Sequence, residues 1–160
     1  MKRKLIIVLL ILWTAFIFLN SLRPAPGSIE QSDGVVRVLT TVVESVFGGD
    51  MPQPLAQYMA SDFGSDVRDA AHIFEFMVLY IFAYMFFKKD SICSGKVLMN
   101  ALYYSFLIAI IDENIQYYVP GRGFQASDLM KDAVGSLIAM AGIAGINYLR
   151  CKIGHRTEGC

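Results

Sequence analysis

Three short strings of this sequence carry ionisable side chains at helical intervals, and an arginine stands between the last two. In RDAAHIFE, Arg68, His72 and Glu75 fall at i, i+4 and i+7, on one face of a helix. In DENIQ, Asp112 and Gln116 share a face with Glu113 close beside it, and in SDLMKDAVG, Asp128 and Asp132 stand one turn apart. A histidine next to a carboxylate can move protons, so His72 is a candidate general acid or base, oriented by Glu75, with Asp112 and Glu113 as further catalytic candidates. Arg68 and Arg122 suit an anionic group, and Gln116, Asp128 and Asp132 complete a candidate binding set. Carboxylates with one histidine could suit a hard or borderline divalent cation, and Asp112, Glu113 and Asp128 would either bind such an ion or serve as acid-base partners. Taken singly these residues have plainer uses, His72 as a packing histidine and Asp128 as a helix cap. Their coincidence in three segments is what points to a site.

The elements that position them are apolar. The chain has 160 residues, 55% of them hydrophobic, and a mean hydropathy of +0.48, too apolar for an ordinary soluble domain. Zero formal net charge and the lack of any nucleotide or zinc spacing leave a nucleic-acid role unsupported. Four apolar runs, Leu5 to Leu19, Ala70 to Phe87, Val97 to Ile111 and Ala133 to Leu149, approach the ~20 residues a helix needs to cross a bilayer. The reading is all-α: a single polytopic domain over 1–160, a bundle of four transmembrane helices at about 5–22, 68–87, 97–117 and 129–149. An outer segment over 23–67 and a cytoplasmic tail over 150–160 complete it. The first run also resembles a signal peptide, but no clean small-x-small site follows it, so a retained helix is expected.

Within the outer segment, Ser32 or Asp33 is expected to cap an amphipathic helix ending near Phe47, with Val35, Val38 or Leu39, Val42, Val43 and Val46 as its apolar face and Gly48-Gly49 as its stop. Pro52 and Pro54 are expected to hold the chain extended before Tyr58. Small residues in the fourth run, among them Gly135, Ala139, Gly142 and Gly145, predict close packing of that helix. Nine of the fourteen Lys and Arg residues lie before the first run, between runs two and three, or after the fourth, which places those segments and both termini in the cytoplasm. Cys93, Cys151 and Cys160 then face a reducing compartment, and no disulfide is expected.

The strings RDAAHIFEF, DENIQYYVPGR and SDLMKDAVG, in that order, with Trp13 and SLRP around the first helix, resemble the VanZ-like membrane protein family over most of the chain. The resemblance carries the family's His and Glu onto His72 and Glu75, its Asp-Glu and Gln onto Asp112, Glu113 and Gln116, its Pro-Gly-Arg onto Pro120, Gly121 and Arg122, and its next Asp onto Asp128. Phe76 stands where the family usually has tyrosine, and Asp132 where it often has asparagine. The resemblance implies a bacterial cytoplasmic-membrane protein, and the founding member is associated with resistance to glycopeptide antibiotics, teicoplanin in particular.

Three readings of the site follow. The first is recognition of an amphiphile at the outer leaflet, a lipoglycopeptide or a cell-wall lipid precursor or other envelope lipid. The second is an intramembrane enzyme that modifies an envelope lipid or glycan through His and carboxylate acid-base or metal-assisted chemistry. The third, a transporter, fits less well because the inner halves of the runs are almost wholly apolar.

Overall fold

The computed structural model describes residues 2–47, 52–61, 63–88 and 95–157. It is all-helical: α1 (Lys2–Ser21), α2 (Ala25–Phe47), α3 (Gln53–Ser61), α4 (Phe63–Phe87), α5 (Gly95–Tyr117) and α6 (Ala126–Thr157). Four of these, α1, α4, α5 and α6, are long and apolar enough to cross a membrane. Their bounds extend the expected spans. α4 begins before Arg68, and α6 runs on past Leu149 to Thr157, where a tail was expected.

α4, α5 and α6 pack against one another, and α1 lies on α4 and α5. Phe76, Leu79, Tyr80 and Ala83 of α4 are buried between Ala101, Ile108 and Ala109 of α5 and Ala139 of α6, with Leu10 and Ile17 of α1 closing the core. The apolar side chains left outside, such as Leu12, Phe106 and Ile138, are those a bilayer would solvate. Gly135 makes the closest approach: a Cβ there would lie 2.1 Å from the carbonyl oxygen of Ile73, so only glycine lets α6 and α4 meet at this depth. The close packing expected of this helix is seen at Gly135 and continues through Ala139 and Ile143 to Asn147, which bonds Tyr84, while a Cβ at Gly142 or Gly145 would meet nothing within 4 Å.

The segment between α1 and α4 departs from its expected form in two ways. α2 starts at Ala25 rather than at Ser32 or Asp33, because Pro26 falls in its first turn, where a missing N–H costs nothing. Pro54 does the same for α3 at Gln53–Ser61, which replaces the expected extended stretch. Val36, Thr40 and Val43 are the half-buried residues of α2, while Val35, Val38, Leu39, Val42 and Val46 remain exposed. α2 packs on α4, so it turns a polar-flanked edge to the bundle and leaves its most apolar stripe outward, as an interfacial helix does. Cys151 takes part in a disulfide, which corrects the expectation of reduced thiols at that position. Cys93, Cys160 and the Gly48-Gly49 stop lie outside the described residues.

Candidate functional site

Each of the four long helices contributes polar side chains at the same end of the bundle. α1 ends there because Pro24 follows, and the last residues before the break, Asn20 and Ser21, turn inward. Asn20 Nδ2 donates to Glu75 Oε1 at 3.0 Å, and Trp13 Nε1 donates to the Glu75 carbonyl oxygen at 2.9 Å. The Ser21 hydroxyl donates to Asp112 Oδ1, and Gln116 Nε2 donates to Asp112 Oδ2 at 2.8 Å, as the one-turn spacing of Asp112 and Gln116 allows. On α6, Asp132 Oδ1 meets His72 Nδ1 at 3.1 Å. Close approach at Gly135, beside Ile73, is what brings these two side chains together.

The connection from α5 to α6 closes this end. Its Val119-Pro120-Gly121-Arg122 stretch is a type II turn, with the Arg122 N–H donating to the Val119 carbonyl at 3.1 Å and Gly121 at a φ of 79°. The chain after the turn is held by Glu113, whose Oε2 accepts the Gln125 N–H at 2.8 Å. Arg122 thereby reaches a cavity of about 180 Å³ that Arg68, His72, Glu75 and Gln116 also line. Phe16, Val35 and Val67 supply its apolar wall. Neither Arg68 nor Arg122 forms a salt bridge with a described carboxylate, and the buried Arg68 Nε has no hydrogen-bond partner among the described residues.

Behind the cavity wall the carboxylates crowd. Asp112, Glu113 and Asp132 are at most 1% exposed, and each offers an oxygen within 4.8 Å of the others. Two ionised carboxylates at that separation repel by roughly 3 to 4 kcal/mol at an effective dielectric of about 20. Asp128, expected to join them, instead takes Lys131, whose Nζ lies 2.8 Å from Asp128 Oδ1 and 2.6 Å from Asp69 Oδ1. Asp132 occupies the expected place of Asp128 because it lies one turn deeper on the same face. Glu75, expected to orient His72, is engaged by Asn20, and the histidine's partner is Asp132. A second cavity, about 260 Å³ and apolar, opens between α5 and α6 and reaches Asp132 and the buried, unpartnered Ser105 hydroxyl.

Around the first cavity the structure gathers Arg68, His72, Glu75, Gln116 and Arg122. Asp112, Glu113 and Asp132 lie just inside, and Asp128 is turned to Lys131. Sequence spacing did not single out Asn20, Ser21, Lys131 or Asp69. The signal for the first two was a pair of polar residues closing an otherwise apolar run.

The fold and this arrangement define a polytopic helical membrane protein with a buried polar cluster at one end of a four-helix bundle. A sequence model of the VanZ/LLP1 family matches residues 6–147, and the chain belongs to that family. No curated protein and no solved structure matches it.

Proposed function

We propose that this VanZ/LLP1 family protein binds an anionic amphiphile, with the head group at Arg68 and Arg122 and the apolar part against Phe16, Val35 and Val67. The observation that carries this reading is the pair of arginines lining one cavity without a salt bridge to any described carboxylate. A guanidinium inside a bundle is costly unless it meets an anion, and Gly121 with Pro120 sets the turn that points Arg122 there. His72 keeps Nε2 for a ligand, because Nδ1 is engaged by Asp132.

The Lys and Arg distribution supports an orientation with both termini in the cytoplasm, which puts the cavity at the outer leaflet of a bacterial cytoplasmic membrane. The disulfide at Cys151 is the observation that pulls against this orientation, since thiols in that compartment are held reduced. Lipoglycopeptides and cell-wall lipid precursors both present anionic, amphiphilic molecules at the outer leaflet, and a contribution to glycopeptide resistance, including teicoplanin, follows from this reading. The His72 and Asp132 pair also favours the enzymatic alternative, acid-base chemistry on an envelope lipid.

Binding of phosphatidylglycerol, an isoprenyl phosphate and teicoplanin to purified protein in zwitterionic nanodiscs tests the proposal. At least one should bind in preference to its neutral analogue, and Arg122→Ala should weaken it by about tenfold or more, the loss expected when one partner of a buried charge pair is removed. Equal binding of charged and neutral analogues, unchanged in Arg122→Ala, would contradict it.

A further inference from the structure

We infer that Asp112, Glu113 and Asp132 form a site for one hard divalent cation, of about the size of Ca2+, with the Gln116 amide oxygen as a fourth ligand. The carboxylates supply oxygens within 4.8 Å of one another. Oxygens on opposite sides of a cation held at 2.3–2.6 Å stand about 4.6–5.2 Å apart at most, so the three can share such an ion where they are.

Two observations beyond the gathering of acids point to a ligand. Glu113 and Asp132 are each fully buried, and each commits a single oxygen, Glu113 Oε2 to the Gln125 N–H and Asp132 Oδ1 to His72. Their other oxygens, Glu113 Oε1 and Asp132 Oδ2, are buried with no hydrogen-bond partner among the described residues. Gln116 is independent of the acids. Its amide nitrogen is tied to Asp112 Oδ2 at 2.8 Å, which holds the side chain beside the carboxylates, and its own Oε1 is buried and unpartnered at 1% exposure. Two of the bare acceptors belong to the gathered carboxylates and the third to the side chain tied to Asp112, and such acceptors are what a cation would satisfy.

No described Lys or Arg forms a salt bridge with the three carboxylates. Lys131 bridges Asp69 and Asp128, and neither Arg68 nor Arg122 forms a salt bridge with the three carboxylates. The donor set is all oxygen, which selects Ca2+, Mg2+ or Mn2+ over softer metals. His72 stays outside the ligand set, because its Nδ1 is spent on Asp132, and it acts as a positioning residue for that carboxylate.

The test uses the full chain in zwitterionic nanodiscs, stripped with EDTA, and no amphiphile. A failure here leaves the binding of anionic amphiphiles untouched, and a failure there leaves this site standing. Mn2+ added as the probe should bind at one ion per chain by the loss of its free EPR signal, and Ca2+ should displace it. Glu113→Gln should weaken binding by at least tenfold, the lower end of what even an outer partner of a metal ligand contributes, while Glu44→Gln on the exposed face of α2 should not. Thermal unfolding guards against a misfolded variant: in EDTA, Glu113→Gln should melt at or above the parent, because the amide removes one crowded charge. The parent's melting temperature should rise with Ca2+, and that of Glu113→Gln and of Asp132→Asn should not. Absence of stoichiometric binding by Mn2+, Ca2+ and Mg2+, or Glu113→Gln binding like the parent, would overturn the inference.

Discussion

At one end of the bundle, α1, α4, α5 and α6 are joined through Asn20 to Glu75, Ser21 to Asp112, and His72 to Asp132. Toward the other end the described polar links are sparse: Tyr80 donates to the Leu98 carbonyl at 3.1 Å and Asn147 to the Tyr84 hydroxyl at 2.9 Å, within a core of Leu79, Ala83 and Ala101. The polar end also keeps bare acceptors on Glu113, Gln116 and Asp132 and a bare donor on Arg68. Each buried unsatisfied group costs on the order of 1–3 kcal/mol, so this end is poorly arranged for stability alone. Of the five buried side-chain atoms without a partner among the described residues, four lie at this end and only the Ser105 hydroxyl lies on α5 away from it, a distribution that points to a use for them there.

The sharpest way to break the contrast is at the helix contact beneath the polar cluster. Gly135→Ala drives a Cβ to 2.1 Å from the Ile73 carbonyl oxygen and is expected to destabilise the protein by about 3 kcal/mol, the upper part of the overpacking range. Gly142→Ala, with nothing within 4 Å of its Cβ, should change stability by no more than about 1 kcal/mol in either direction. Equal effects of the two in reversible unfolding in mixed micelles would mean that α4 and α6 are not held closest at Gly135.

A smaller difference is expected along α1. Ser21→Ala removes the hydroxyl donor to a buried carboxylate and should cost about 2 kcal/mol, in the range for hydrogen bonds to charged groups. Thr14→Val removes a hydroxyl that also bonds the Leu10 carbonyl of its own helix and lies 3.2 Å from the Tyr104 hydroxyl, and should cost under about 1 kcal/mol. The same unfolding assay separates them. An effect between those two is expected at the turn: Gly121→Ala places a side chain at a φ of 79° and should cost about 1–2 kcal/mol. Its stronger signature is weaker amphiphile binding as Arg122 is displaced.

Much of this architecture was legible because membrane helices are written in long apolar runs, and ionisable residues within them stand out. The one-face spacing of Arg68, His72 and Glu75 was enough to put all three on one cavity. Pairing across helices was not legible. Residues 128 and 132 share a face, and only the depth set by Gly135 against Ile73 decides that Asp132 meets His72 while Asp128 takes Lys131. The packed edge of α2 was not legible for a related reason: its largest apolar stripe faces outward, and the strength of an apolar pattern says nothing of whether protein or lipid covers it. α3 was missed because two nearby prolines suggest extension, although one in the first turn of a helix is equally at home.

Side chains from separate spans share one cavity built around Arg68 and Arg122, neither of which forms a salt bridge with a described carboxylate. An experimental structure in lipid nanodiscs with a bound anionic amphiphile tests it most directly. The account predicts head-group density within hydrogen-bond distance of Arg68 and Arg122, with the chain along Phe16 and Val67. Density bound elsewhere, with His72 and Asp112 turned to different surfaces of the bundle, would contradict it.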